Sequence, residues 1–179
     1  CNMLREVFPE HGILAEESGP SLPEAEYQWI IDPLDGTTNF VHNYPSFSVS
    51  IGVMKNEEPV VACVVELPVR NIYTAIKGQG AFCNNEKISV SSVNDLEKSL
   101  YVTGFSYEHG ERWERNMILF KQFTDIGQGV RRLGAASVDL CHIASGKVDV
   151  FWEFDLHPWD TAAGILIVTE AGGTVSYTH

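Results

Sequence analysis

Basic residues are scarce in this chain. Its 179 residues include only 12 Lys and Arg against 24 Asp and Glu, which gives a formal net charge of −12. Nucleic acids and anionic membranes are bound through basic surfaces, so we expect neither as a partner. The same negative charge would repel a small phosphate-bearing substrate, unless a bound cation such as Mg²⁺ reversed the sign of the field at the site.

Paired cysteines and long apolar runs are also missing. No two cysteines have CxxC or metal-ligand spacing, which predicts reduced thiols and a cytoplasmic location. No apolar run approaches the length of a membrane span, and no signal peptide opens the chain. The chain begins with Cys rather than Met, and residues 175–179 read as the interior of a strand, so we expect a fragment truncated at both ends. The four cysteines are Cys1, Cys63, Cys83 and Cys141.

Strand and helix patterns alternate along the sequence. This interleaving, without repeats or a Ser/Gly linker, predicts one α/β domain over residues 1–179, with layers of helix and sheet and with β structure concentrated in the first half. The polar stretch 19–26 is predicted to be a loop. The apolar residues Trp113, Phe120 and Phe123 have helical spacing and are predicted to be core. Predicted strands are 13–15, 29–31, 47–53, 60–67, 71–75, 80–89 and 148–154, and predicted helices are 2–8, 111–123, 136–145 and 159–171.

The most informative segment is Asp32-Pro33-Leu34-Asp35-Gly36-Thr37-Thr38, which follows an apolar strand. Two carboxylates three residues apart on a rigid turn can share divalent cations, and backbone N–H groups after a glycine can face a phosphate. Taken alone, the segment is more readily explained as a capped turn that has no function. Further carboxylates at two other strand-to-loop junctions, Glu16 and Asp160, favour a metal site. Oxygen ligands of this kind select Mg²⁺, Mn²⁺ or Ca²⁺ over zinc.

The sequence resembles the inositol monophosphatase family of Mg²⁺-dependent, lithium-sensitive phosphatases. The resemblance rests on residues 15–18 (AEES), 32–40 (DPLDGTTNF), 159–164 (WDTAAG) and 170–173 (EAGG). It implies an αβαβα sandwich, a homodimer and two or three Mg²⁺ ions. The first metal would be bound by Glu16, Asp32 and the carbonyl of Leu34. The second would be bound by Asp32, Asp35 and Asp160.

The resemblance also implies how the reaction would proceed. Glu16, Asp35 and Thr37 would be catalytic, with Thr37 hydrogen-bonded to Glu16 and orienting a water that Mg²⁺ activates as nucleophile. The phosphate would sit on the N–H groups of Gly36 and Thr37. The leaving alcohol of a small phosphate monoester, inositol monophosphate in the first place, would be contacted by Gly134, Ala135, Ala136, Glu153 and Asp160.

Other functions remain open from the sequence. The chain could be a fructose-1,6-bisphosphatase or an adenosine 3′,5′-bisphosphate phosphatase of the same superfamily. It could also be a non-catalytic relative with a regulatory role. Asn39-Phe40 is the form associated with inositol-type members, which favours inositol monophosphate. Arg131-Arg132 could bind phosphate but is better explained as a solvated loop pair or an interface contact.

Overall fold

The computed structural model describes residues 1–17 and 19–176. Within these residues each predicted strand and helix up to residue 171 overlaps an element of the same type, and the structure also has the strands Gly19–Ser21, Leu100–Thr103 and Gly129–Arg131 and the helix Thr37–Val41. The predicted strand 175–179 lies partly outside the described residues, and residues 175–176 have no regular structure. The helices are α1 Asn2–Val7, α2 Thr37–Val41, α3 Glu111–Ile126, α4 Ala136–Ala144 and α5 Pro158–Glu170. The strands are β1 Gly12–Ala15, β2 Gly19–Ser21, β3 Tyr27–Asp35, β4 Ser48–Lys55, β5 Glu58–Glu66, β6 Asn71–Ile76, β7 Gly80–Cys83, β8 Glu86–Lys87, β9 Leu100–Thr103, β10 Gly129–Arg131 and β11 Val150–Trp152.

The larger sheet has eight strands in the order β2-β1-β3-β4-β5-β6-β7-β8. Two of its hairpins turn on residue pairs with positive φ, Asn56-Glu57 and Asn84-Asn85. Positive φ at both central residues matches the right-handed twist of the flanking strands, and Asn tolerates it. The loop predicted for residues 19–26 is wrong at its start, because Gly19–Ser21 pairs antiparallel with β1.

The smaller sheet has three strands in the order β10-β9-β11, and all of them are parallel. Parallel strands place their carboxyl ends at one edge of a sheet, which is where ligands bind in open α/β sheets. The residues that follow β9, β10 and β11 are Gly104, Arg132 and Glu153. The topology therefore gathers these three positions at one edge.

Helices α4 and α5 lie between the two sheets. Both helices contact the larger sheet, and α4 also contacts β9 and β11. The main core cluster joins Val64 of β5 and Val102 of β9 to the helical residues Cys141 and Ile167, all of which have no exposed surface. This arrangement confirms the predicted layered α/β class. None of the helices in the described residues is long and apolar enough to cross a membrane.

Helix α3 differs from the prediction. The aromatic residues Trp113, Phe120 and Phe123 are only half-buried, and the buried residue of this helix is Asn116. The reason is that α3 packs by one face against β10, at the side of the small sheet. Phe123 does stack on Tyr101, with ring centroids 4.8 Å apart. Trp113 instead faces a cleft beside the small sheet.

Candidate active site

Asp32 and Asp35 lie on a bulge in β3. The sequence predicts that the strand ends before Asp32, but it continues to Asp35. The pairing with β4 shifts in register between the two aspartates. Pro33 explains the shift, because it has no N–H with which to continue the ladder. Both aspartates are buried, with exposed fractions of 3% for Asp32 and 8% for Asp35.

Backbone N–H groups orient two of the carboxylates. Leu34 N donates to Asp32 Oδ1 over 2.9 Å, and His157 N donates to Asp160 Oδ2 over 2.6 Å. His157 is the N-cap of α5 and forms a capping box with Asp160. One oxygen of each carboxylate is thereby engaged, while the other makes no hydrogen bond within residues 1–17 and 19–176. Those remaining oxygens are available to a cation.

Asp35 accepts hydrogen bonds from Ser137, which is not among the predicted site residues. Ser137 donates its backbone N–H to Asp35 Oδ2 over 2.8 Å, and its hydroxyl donates to the same oxygen. Ser48 Oγ lies 2.7 Å from Ser137 Oγ, so the two buried hydroxyls form a chain that ends on the carboxylate. Ser137 is the second residue of α4, where helix N–H groups have no partner within the helix. In the sequence, the only indication of this role is a hydroxyl-bearing residue at the start of a predicted helix.

Glu16 lies beside Asp32 across two parallel strands. Ala15 is paired with Ile31, and Glu16 N donates to the carbonyl of Ile31 over 3.3 Å. Glu16 itself is exposed. The predicted hydrogen bond from Thr37 to Glu16 is not present in this arrangement, because Thr37 Oγ1 donates to the carbonyl of Leu34 over 3.0 Å. A hydroxyl has a single hydrogen and cannot donate to both acceptors.

Burial and neighbouring carboxylates raise the pKa values of three aspartates. Burial, together with the charges of Asp35, Glu16 and Asp160, raises the pKa of Asp32 to about 7, although the hydrogen bond from Leu34 N opposes the increase. Burial also raises the pKa of Asp35 to about 6, against the lowering effect of its bonds to Ser137. The pKa of Asp160 is raised by burial and by Glu16. In the described part of the chain, no three such side chains are close enough in this arrangement to enclose a metal ion. The negative potential nevertheless fits a cation, which would favour the ionised carboxylates.

Gly36 brings the start of α2 against the loop before α4. Its φ is +83°, and an added Cβ would lie 2.8 Å from the carbonyl oxygen of Ser46 and 3.1 Å from Ala135 Cβ. Only glycine fits such a backbone. Asn39 ties the same two segments together, since its Nδ2 donates to the carbonyls of Ser46 and Leu133, each over 2.7 Å. The predicted phosphate-binding and leaving-group segments therefore lie next to each other.

The residues predicted to contact the leaving alcohol differ in what they can offer it. Ala135 and Ala136 are 2% and 7% exposed, so they can offer little more than backbone atoms. Glu153 follows β11, and an added Cβ at Gly104 would collide with its carboxylate. Burial, together with the charges of Asp35 and Asp160, raises the pKa of Glu153 to about 8, although Arg132 opposes the increase. Glu153 is therefore largely protonated at neutral pH and can both donate and accept hydrogen bonds.

Comparison with known proteins identifies the family. The inositol monophosphatase family profile matches residues 1–179. The chain belongs to the inositol monophosphatase family. It is 51% identical to the phosphatase IMPL1, chloroplastic, of Arabidopsis thaliana, over 97% of this chain and 49% of that protein. It is 45% identical to a putative Nus factor SuhB of Neisseria meningitidis, over 97% of this chain and 67% of that protein. The chain thus spans about half the length of the first relative and about two thirds of the second.

Two solved structures of the family have the same fold. The inositol monophosphatase from Anabaena (Nostoc) sp. PCC 7120 matches with a TM-score of 0.90 and 45% identity, over 96% of this chain and 68% of that one. An IMPase/NADP phosphatase complexed with Mg²⁺ and phosphate matches with a TM-score of 0.83 and 27% identity, over 96% of this chain and 63% of that one. Both similarities agree with the layered α/β architecture.

Proposed function

We propose that this chain is one inositol monophosphatase-like domain that hydrolyses inositol monophosphate, or a closely related polyol phosphate, with Mg²⁺ as cofactor. The observation that carries the proposal is the gathering of the buried Asp32 and Asp35 and the half-buried Asp160. Besides burial, Asp35 and Asp160 raise the pKa of Asp32, and Asp160 raises the pKa of Asp35. Such a cluster is unfavourable without a cation. The relative complexed with Mg²⁺ and phosphate supports the same cofactor and the same type of substrate.

The donors suit Mg²⁺ because they are all oxygens. Mg²⁺ is a hard cation and takes oxygen ligands. Two or three ions would be held by the carboxylates of Asp32, Asp35, Asp160 and Glu16 and by the carbonyl of Leu34. The Leu34 carbonyl accepts from Thr37 but keeps a second lone pair. When bound, Mg²⁺ would neutralise these charges, bind phosphate oxygens and make water a stronger nucleophile. Li⁺ would inhibit the reaction.

The chain's own groups would position the reactants. The N–H groups of Gly36 and Thr37 would bind phosphate oxygens at the start of α2. Glu16, exposed at the mouth of the site, would accept a hydrogen bond from the attacking water. The hydroxyl of Thr37 would contact the same water only after it rotates away from the carbonyl of Leu34, to which it now donates. Neutral Glu153 would pair with hydroxyls of the leaving alcohol, together with Asp160 and the backbone of residues 134–136.

The test is a charge-neutralising substitution within the cluster. Asp35→Asn should lower Mg²⁺-dependent kcat for inositol 1-phosphate by at least about 100-fold, because removing one preorganised electrostatic contact costs that much. Asp125→Asn, an exposed carboxylate on α3, is the matched control and should retain full activity. Near-normal turnover in Asp35→Asn would overturn the metal assignment.

A substrate panel separates the enzymatic alternatives. Phosphate release would be compared for inositol 1-phosphate, fructose 1,6-bisphosphate and adenosine 3′,5′-bisphosphate. The proposal requires the highest kcat/KM for inositol 1-phosphate. If one of the bisphosphates were the best substrate, the corresponding bisphosphatase would replace the present assignment.

A regulatory role is the second candidate, and the specific observation is the 45% identity to a putative Nus factor. The same substrate panel tests it: if the wild-type chain binds Mg²⁺ but hydrolyses none of the substrates, the regulatory role is favoured.

We further propose that the protein forms a homodimer and that it is located in the cytoplasm. Light scattering during gel filtration would measure the oligomeric state. The net charge of −12 supports the absence of a nucleic-acid partner.

A further inference from the structure

Asn116 is a buried polar residue of α3, with an exposed fraction of 1%. Both ends of its amide are engaged. Its Nδ2 donates to the carbonyl of Gly104 over 2.6 Å, and its Oδ1 accepts from the indole N–H of Trp152. A carboxamide carries a donor and an acceptor side by side, so one side chain satisfies both groups. Asn116 therefore ties α3 to the ends of β9 and β11, and it has no part in the function proposed above.

The ends of these two strands are also joined to each other. Strands β9 and β11 are parallel neighbours, with Trp152 paired with Thr103, whose hydroxyl donates to the carbonyl of Trp152. The indole of Trp152 packs on Phe123 of α3, with ring centroids 4.8 Å apart. The next residue along β9 is Gly104, and the next along β11 is Glu153. The contacts of Trp152 thus fix the backbone from which the Glu153 side chain extends.

Gly104 leaves the space that the carboxylate of Glu153 occupies. Gly104 is buried, and an added Cβ would overlap the carboxyl carbon and both carboxyl oxygens of Glu153. Gly104 is not among the residues with positive φ, so an alanine could adopt its backbone and only the carboxylate excludes it. The carboxylate has no hydrogen-bond partner within residues 1–17 and 19–176. Its place is therefore set by this recess and by the backbone, and its oxygens remain available to an alcohol.

The position of this carboxylate matters for the proposed reaction. The charges of Asp35 and Asp160 raise the pKa of Glu153, so the carboxylate lies within electrostatic range of the proposed metal ligands. Hydrogen bonds weaken steeply when their angle departs from linearity. A displacement of about 1 Å can cost a large part of the rate of an enzyme that depends on positioning. Groups that hold Glu153 can therefore affect recognition of the alcohol without touching it.

We propose that Asn116 is a positioning residue for the leaving alcohol. It holds the ends of β9 and β11 against α3, so that the Glu153 carboxylate stays in the recess at Gly104, where hydroxyls of the alcohol reach it. The inference rests on the proposed phosphatase function and adds to it the residues that set its selectivity. The effect of Asn116 is confined to substrates whose leaving group offers hydroxyls to Glu153.

The test compares inositol 1-phosphate with phenyl phosphate, whose leaving group carries no hydroxyl besides the one released. The ratio of the two kcat/KM values, measured on one preparation, does not depend on the folded fraction. Asn116→Leu removes both hydrogen bonds at similar volume and should lower the ratio about tenfold, roughly the contribution of one hydrogen bond. Gln122→Leu removes an exposed amide from the same helix and should leave the ratio unchanged. Gly104→Ala should lower it as Asn116→Leu does, whereas Gly110→Ala, whose added Cβ meets nothing within 4 Å, should not.

A double-mutant cycle with Glu153→Ala shows whether Asn116 acts through that carboxylate. Glu153→Ala alone should lower the ratio at least as far, and adding Asn116→Leu should lower it no further, because no carboxylate is left to position. A merely structural role would reduce kcat/KM equally for both substrates. An unchanged ratio in Asn116→Leu, or a further fall in the double variant, overturns the positioning role and leaves the phosphatase intact. If the wild type hydrolyses neither substrate, the phosphatase function is wrong and the positioning role falls with it.

Discussion

Neutralising Asp32 should stabilise the metal-free protein at alkaline pH. Asp32 is 3% exposed, and its pKa is raised from 3.8 to about 7. Because the folded state binds this proton more tightly than the unfolded state, the stabilisation is complete below about pH 4 and is lost as the pH rises through about 7. A shift of about three pKa units corresponds to about 4 kcal/mol. The amide of Asp32→Asn leaves buried N–H donors that cost about 1–3 kcal/mol, so the net gain at pH 8 is about 1–3 kcal/mol.

The assay is urea unfolding of the chelator-treated protein at pH 8 and at pH 5. Asp32→Asn should raise the free energy of unfolding at pH 8, and the gain should shrink or reverse at pH 5, where the wild-type carboxyl is protonated when folded. Added Mg²⁺ should stabilise the wild type at pH 8 more than the variant. The exposed Asp125→Asn should show neither effect. A variant less stable than the wild type at pH 8 without metal, or a gain that does not depend on pH, would refute the reasoning.

Three further predictions concern other residues of the candidate site. Ser137→Ala removes the hydroxyl that bonds Asp35 and Ser48, so the free energy of unfolding measured in urea should fall by about 1–3 kcal/mol, and no fall would contradict the hydroxyl chain. Gly36→Ala forces a side chain into a backbone with φ of +83°, which should cost about 1–3 kcal/mol and lower Tm, whereas an unchanged Tm would show that the backbone adapts. Glu153 has a pKa of about 8, so KM for inositol 1-phosphate should rise above pH 8 as its donor is lost. Steady-state kinetics of Glu153→Gln should show no such rise in KM, and a rise in the variant would assign the titration elsewhere.

Most of the larger sheet could be predicted because its central strands β3 to β6 have six to nine residues and its hairpins carry local turn signals. The pairs Asn56-Glu57 and Asn84-Asn85 lie at two of these turns. The smaller sheet could not be predicted in the same way. Its strands β9 and β10 have four and three residues, and their partners are distant in the sequence. Parallel pairing of short segments leaves no local pattern, and without that sheet the cleft beside Trp113 could not be anticipated.

The candidate site likewise has features that could be predicted from local sequence and features that could not. The nearness of Asp32 and Asp35 follows from three residues of separation, and the placement of Glu16 follows from a short strand that pairs beside β3. The partners of hydroxyl groups could not be predicted, because a change of about 1 Å or one rotamer decides which acceptor a hydroxyl reaches. Thr37 therefore bonds Leu34 instead of Glu16. Ser137, which binds Asp35, has no distinctive sequence signal beyond its place at a helix start.

The difference between the two central aspartates has a consequence for how the site would take up metal. Ser137 partly offsets the burial of Asp35, whose pKa is about 6, whereas Asp32 lacks these donors and has a pKa of about 7. The hydrogen bonds from Ser137 thus favour the ionised form of Asp35, whereas burial and three neighbouring carboxylates favour the protonated form of Asp32. A divalent cation binds carboxylates in their ionised form, so metal uptake at the proposed site would release protons, and Asp32 would be their main source.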